Sequence, residues 1–389
     1  MIIKLLYKHF LSYSSQHMKQ KIKSYMLAAI AATCAFSFTA CSDDDDDNTT
    51  NIISEFSYND TRVAQQKAQS GKDEAILLVA FGSTWSNAFS AFDHTVAEYQ
   101  KAFPEADVYL CFSSDICINR ASAGENGEAR DYYEPRYLLH AIGAARYSKV
   151  RVQSLQVIPG EEFANVVASV KKFMNNGYIA SARLDDAYLK SLNDNEAIFL
   201  GMPLLNSYEG EGNDVDRVAS ILNQECKAEL ADGVVAFMGH GNPDSYDTFK
   251  ANVRYTQLED ALQRISPNYF VGTVDAAGTY KQDVHSNMVA AGKTSGNIYL
   301  HCLMSIAGDH AHNDMAGEGS DYWDADEPAS EDNSWYEYFN HNGYKSIVPT
   351  VNGDPQGLLE IPGILNVWID HTREAEFLED AYHSMYPEE

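Results

Sequence analysis

From Asp73 onward the chain alternates short apolar runs with longer stretches of helical periodicity, and this alternation constrains the fold more tightly than any other feature. The runs of strand length are Ala75 to Phe81, Asp107 to Phe112, Val150 to Ile158, Ala197 to Met202, Gly233 to Met238, Tyr269 to Val274, Asn297 to Met304 and Lys345 to Val351. Strands separated by helical segments read as βαβ units around a parallel sheet covered on both faces, so the expected class is α/β.

The two halves of this region match each other. Val79-Ala80-Phe81-Gly82-Ser83 lies over Ala236-Phe237-Met238-Gly239-His240, and Phe112-Ser113-Ser114-Asp115 over Gly272-Thr273-Val274-Asp275. Val157-Ile158-Pro159-Gly160-Glu161-Glu162 lies over Ser305-Ile306-Ala307-Gly308-Asp309-His310. The matches keep the same order at the same elements, which predicts two similar βαβ domains with parallel sheets, an internal duplication with a cleft between the halves. The expected boundaries are 73–205 for the N-terminal half, 206–232 for a linker helix and 233–389 for the C-terminal half. Asp321 to Asn342, rich in aromatic and acidic residues, reads as a loop or flap on the second half.

Ahead of these domains, Lys19, Lys21 and Lys23 precede an apolar run from Met26 to Ala40 that stops at Phe38-Thr39-Ala40-Cys41. The run is too short for a stable membrane span and has the layout of a signal peptide over residues 1–41. Small residues directly before a cysteine resemble a lipobox, in which Cys41 carries the lipid that tethers the mature protein. Residues 42–72 begin with Ser42 and the run Asp43 to Asp47, a self-repelling charge block expected to be a disordered tether. The expected location is extracytoplasmic: a lipoprotein of the outer membrane, on its periplasmic or cell-surface face.

With 389 residues, 45% of them apolar, the chain can bury one large core or two smaller ones. Its formal charge of −28, from 56 acidic against 28 basic residues, excludes a nucleic-acid partner, because nothing neutralises a row of phosphates. Cys111, Cys117, Cys226 and Cys302 lack CxxC spacing, which predicts buried thiols and leaves a single bridge open.

Ligands of open parallel sheets bind at the carboxyl ends of the strands. His240 stands there between Gly239 and Gly241, where little can bury it; a turn histidine bonded to a nearby carbonyl has the same local pattern. His310 opens a run, Gly308 to Asp314, dense in His, Asp and Asn. Asp309 and Asp314 are candidates to orient the imidazoles, although Asp309 or Asn313 equally fits a helix cap. Asp275 ends its strand as either a ligand or a turn cap. Two imidazoles and one carboxylate with open positions suit Co²⁺, Ni²⁺, Fe²⁺ or Zn²⁺ without choosing among them.

Assembled, the strings Ile76 to Thr84, Gln153 to Glu162, Met238-Gly239-His240-Gly241, Val271 to Asp275 and Ala307 to Gly317 resemble the anaerobic sirohydrochlorin cobaltochelatase family, a CbiK-type class II tetrapyrrole chelatase family. The resemblance runs from about residue 73 to the C-terminus, and its specific part is Gly-His-Gly together with Ala-Gly-Asp-His-Ala-x-Asn-Asp-Met-Ala-Gly. It implies two chelatase-like domains and a lyase-type metal chelatase that inserts Co²⁺ into sirohydrochlorin during cobalamin synthesis. His240, Asp275 and His310 would hold the metal, with His310 and His240 catalytic and His310 the base. Phe81, Gly82, Ser83, Gln156, Glu162 and Arg120 are candidates for contact with the macrocycle, and Arg130, Arg136 and Arg151 are further cations near strand ends.

The sequence departs from the family where Gln156 replaces a common histidine and Asp275 a common glutamate; glutamine accepts no proton near neutral pH. The partners implied are a tetrapyrrole and, through the lipid, a membrane; a homo-oligomer is left open. Because the family's synthesis is cytoplasmic and this chain carries an export signal, two alternatives stand beside insertion. One is a periplasmic or surface protein that binds haem or another tetrapyrrole, and the other is removal of iron from haem.

Overall fold

The computed structural model describes residues 46–178, 182–317 and 333–378, with side chains from residue 53 onward, and the described residues from Ile53 onward form one compact unit. Helix α1 (Asp46–Ser70) leads into strand β1 (Glu74–Ala80), helix α2 (Ser86–Ala102), strand β2 (Ala106–Phe112) and helices α3 (Asp115–Ala123) and α4 (Pro135–Ala144). Strand β3 (Lys149–Ser154), helices α5 (Glu161–Met174) and α6 (Asp186–Asp194), strand β4 (Ile198–Gly201) and helix α7 (Asp214–Glu225) follow. The second half holds β5 (Gly233–Gly239), α8 (Val253–Ile265), β6 (Tyr269–Thr273), α9 (Lys281–Ala290), β7 (Gly296–Cys302), α10 (Trp335–His341) and β8 (Tyr344–Ile347). A short hairpin, β9 (Thr350–Val351) and β10 (Asp354–Pro355), precedes α11 (Pro362–Arg373) and β11 (Glu376–Phe377).

The sheet orders carry the duplication. The first sheet runs β11-β4-β3-β1-β2 and the second β6-β5-β7-β8. Counted within each half, both read second, first, third, fourth, with every pairing among these strands parallel. Such doubly wound sheets have a switch point between the first and third strands, where connections leave to opposite sides. In the central strand β5, Val234, Ala236 and Met238 pack into one apolar cluster while Val235 and Phe237 pack into the other, so both faces are covered.

All eight expected strands are present, and β3 and β8 are shortened most at their ends. β3 stops at Ser154, whose hydroxyl accepts the Gln156 amide at 3.3 Å and turns the chain. β8 stops at Ile347, two residues before Pro349, which has no N–H to offer a ladder.

Three expectations about domain limits are corrected. The segment 42–72, expected to be a disordered tether, contains α1: Phe56, Asn59 and Val63 are buried, and Asp60 accepts from His140 Nδ1 at 2.8 Å. The acidic block before it masked an apolar stripe at helical spacing. The C-terminal half does not keep residues 362–378. Helix α11 packs on the first sheet, with Trp368 fully buried and Thr372 Oγ1 donating to Gln153 Oε1 at 2.8 Å, and β11 pairs antiparallel with β4. The linker region 206–232 is helical over α7 and one 3₁₀ turn, Glu229–Ala231, and Asp214 and Arg217 of α7 bind His371 and Asp370 of α11 at 2.9 and 2.5 Å. Of the expected flap, residues 321–332 lie outside the described residues, and Trp335–His341 forms α10.

The four cysteines among the described residues are buried free thiols. Cys41 and the expected signal peptide lie outside the described residues, and no described helix is long and apolar enough to cross a membrane.

Candidate functional site

His240 follows β5, and both flanking glycines are required there. A Cβ on Gly239 would lie 2.3 Å from the Tyr255 ring, while Gly241, at φ +75°, would meet Thr273 Oγ1 at 2.8 Å. The close approach lets the amides of Val274 and Asp275 donate to the His240 carbonyl at 3.1 and 2.9 Å. Zipping the loops after β5 and β6 in this way sets Asp275 beside His240, with Nε2 to Oδ2 at 3.9 Å.

His310 follows β7 and opens a π-helical turn, His310–Met315, in which the Ala316 amide reaches back to the Ala311 carbonyl at 3.1 Å. The widened turn places Asp314 under His310, whose Nδ1 donates to Oδ2 at 2.7 Å. His240 and His310 meet edge to face, with ring centroids 4.7 Å apart and planes 84° apart. They stand after the first and third strands of the second sheet, at its switch point.

The nitrogen protons are assigned by their partners. Nδ1 of His240 faces the Gly241 carbonyl at 2.5 Å, and a carbonyl only accepts, so Nδ1 is the donor. Nδ1 of His310 is likewise held by a carboxylate. In each ring Nε2 is the nitrogen that these bonds leave for a ligand, the arrangement common around metal-bound imidazoles. The side chains of His240, Asp275 and His310 remain 42%, 40% and 37% accessible, open enough for an ion to enter.

Burial, and then the neighbouring His310, hold the His240 pKa below the ordinary histidine value. Burial also works to lower His310, but the hydrogen bond and charge of Asp314, with Asp275 and Asp309, outweigh it and raise its pKa. Two adjacent imidazoles thus have different basicities.

The first half borders this site. Trp85 stacks on the buried His312, with ring centroids 3.8 Å apart, and its Nε1 donates to Asp309 Oδ1 at 3.3 Å. Asn87 Nδ2 lies 3.4 Å from His312 Nε2. After β3, the Glu161 carboxylate accepts from Asn242 Nδ2 at 3.2 Å and from the Thr248 amide. Loops after β1 and β3 therefore touch loops after β7 and β5, and the carboxyl edges of the two sheets face each other. Trp85 and Asn87 escaped the sequence reading, their signal being Trp85 directly after a strand-end Gly-Ser-Thr turn, while Glu161 stood in the repeated string Val157 to Glu162.

The other expected residues divide. Asp309 binds Trp85 and Asn313 rather than an imidazole, joining the halves. Phe81 is 41% exposed at the end of β1, and Gly82, at φ +115°, is hemmed in by Phe112 and Cys117. Ser83 is buried, accepts the Trp85 amide at 3.1 Å and packs tightly on Gly308, where a Cβ would lie 3.3 Å from its Oγ. Gln156 is buried, accepts from the Ser154 hydroxyl and has an Nε2 with no hydrogen-bond partner among the described residues. Burial, and then Glu161, push the Glu162 carboxyl up to about 7. Arg120 pairs with Glu125 at 3.4 Å, Arg130 with Asp93, Arg136 with Glu134 and Arg151 with Glu74. These cations have acidic partners within the chain.

Fold and site together define a two-lobed α/β protein presenting two imidazoles and a carboxylate at the switch point of its second sheet. The chain belongs to the cobalt chelatase (CbiK) family, whose model matches residues 74–376, and is a metal chelatase, a lyase-type enzyme. It is 28% identical over 301 residues to the sirohydrochlorin cobaltochelatase CbiKC of Nitratidesulfovibrio vulgaris, covering 77% of this chain and 89% of that one. It is 27% identical over 254 residues to the sirohydrochlorin cobaltochelatase of Salmonella typhimurium, covering 64% and 83%. Among solved structures it is similar to SirB from Bacillus subtilis with Fe3+, at 12% identity and a TM-score of 0.48, covering 79% of this chain and 98% of that one.

Proposed function

We propose that this chain inserts Co²⁺ into sirohydrochlorin, and that it does so as a lipid-anchored protein outside the cytoplasm. The observation that carries the reading is the pairing of His240 and His310, each with Nδ1 anchored and Nε2 left for a ligand, beside the Asp275 carboxylate. Two nitrogens and one oxygen bind a divalent ion from one side and leave its other positions for the macrocycle. The names of the two relatives supply the substrate.

Insertion exchanges one dication for the two N–H protons of the macrocycle, so the protein must hold the ion, release it and accept a proton. His240, kept neutral by burial and by His310, has a lone pair for the ion at neutral pH. His310, made more basic by Asp314, is the proton acceptor, and the second proton passes to solvent. Phe81, exposed at the end of β1, offers an aromatic face to the flat ligand. The export signal supports location outside the cytoplasm, with the lipid on Cys41.

The test is Co²⁺ insertion into sirohydrochlorin followed by absorbance, using protein lacking residues 1–41 and its His240→Ala/His310→Ala variant. Acceleration lost in the variant is expected. Tight macrocycle binding with no acceleration over metal alone would leave a capture protein instead. Release of iron from haem under the same conditions would reverse the direction assigned to the reaction.

A further inference from the structure

Away from the paired histidines, three residues distant in sequence converge on one point. Cys226 caps the end of α7, Glu229 opens the single turn Glu229–Ala231, and His301 stands on β7. One ligand atom from each lies within 4.8 Å of the other two. His301 Nε2 is 2.6 Å from Glu229 Oε2 and 3.8 Å from Cys226 Sγ, so the same nitrogen faces both partners. The thiol lies within hydrogen-bonding reach of the same nitrogen, so all three donors face one point.

The spacing is held by the backbone: the amides of Glu229 and Leu230 both donate to the Cys226 carbonyl at 3.1 Å. Across the sheet face the His301 ring packs against Phe237, with centroids 5.5 Å apart. Cys226 is 2% exposed, whereas the side chains of His301 and Glu229 are 23% and 19% accessible, so the cluster has a buried thiol at its base and a solvent-facing side.

We propose that Cys226, Glu229 and His301 form a second divalent-metal site, one that takes a zinc-like ion and fastens the end of α7 to β7. A thiolate, an imidazole and a carboxylate are the usual donor types for such an ion, at about 2.3 Å for sulfur and about 2.0–2.2 Å for nitrogen and oxygen. The sulfur–nitrogen contact of 3.8 Å is within a few tenths of an ångström of the roughly 3.5 Å that those bond lengths set around one tetrahedral centre, and the 2.6 Å Glu229–His301 hydrogen bond opens to roughly 3.3 Å as the ion takes its place. On binding, the Cys226 thiol loses its proton to solvent. His301 shifts to the Nδ1–H tautomer so that its Nε2 lone pair replaces the hydrogen bond to Glu229. Thiolate and carboxylate together cancel the charge of the dication, and water fills the fourth position on the accessible side. The site is independent of the His240–His310 pair.

Co²⁺ serves as the probe because thiolate ligation gives it a charge-transfer band in the near ultraviolet that imidazole and carboxylate ligands lack. In the full chain carrying His240→Ala/His310→Ala, we expect one equivalent of Co²⁺ to bind with that band, and Zn²⁺ to displace it. Cys226→Ser in the same background should abolish the band. Glu229→Gln, which leaves the buried thiol in place, should weaken Co²⁺ at least tenfold. Absence of the band in the double-histidine background, its persistence in Cys226→Ser, or unchanged affinity in Glu229→Gln would each overturn the proposal. Because that background lacks both histidines of the first site, neither result bears on the chelatase reading.

Discussion

The indole of Trp85 lies flat on the imidazole of His312, with centroids 3.8 Å apart and planes inclined by 6°. The contact joins the loop after β1 to the turn that carries His310, so one half of the molecule steadies that turn of the other. Loss of the stack should cost about 0.5–1.5 kcal/mol beyond buried area. Trp85→Ala is therefore expected to lower the thermal midpoint modestly but to reduce Co²⁺ insertion more strongly, because residues 308–315 lose their support. Trp85→Phe should recover stability while lacking the Nε1 bond to Asp309. Hydrogen exchange of the 308–315 amides, set beside insertion rates, checks this.

Asp314 holds His310 by Nδ1 and raises its pKa after burial has worked against it. Removing such a partner typically reduces metal affinity or activity by about 10–100-fold. Asp314→Asn should show a loss of that size at neutral pH. Its acid limb of the rate profile should move to lower pH, since His310 then gives up its proton more readily. A profile of wild-type shape with only a lowered plateau would mean that Asp314 acts through packing alone.

The Glu162 carboxyl, lifted to about 7 by burial and by Glu161, titrates in the folded protein well above its ordinary value. The folded state then binds the proton more tightly than the unfolded chain, so stability must fall as pH rises through that interval. Glu162→Gln should remove this part of the pH dependence and leave a flatter curve between the ordinary glutamate value of about 4.3 and about 7. Urea unfolding at several pH values reads the difference, and equal slopes in the two proteins would contradict it.

Cys41 makes a separate prediction about the cell. If the apolar run before it is a lipoprotein signal, the mature chain begins at Cys41 and partitions with detergent. Cys41→Ser should remain unprocessed or enter the aqueous phase; mass spectrometry of the N-terminus distinguishes the outcomes.

All eight strands and the internal duplication were legible because strand length, turn glycines and helical spacing are local properties of the chain. His240 and Asp275 could be singled out for the same reason, since they stand at strand ends, and His310 because it opens a run dense in His, Asp and Asn after the third strand of its half. Helix α1 was hidden because the acidic run before it dominates local composition, while Phe56 and Val63 find partners only on the folded body. No local signal told Asp309 from Asp314: one meets Trp85 across 224 positions and the other His310 across four. The return of α11 and β11 to the first sheet was equally invisible. An amphipathic helix shows which face it will bury, but the surface that receives it is chosen by the packing of the whole chain.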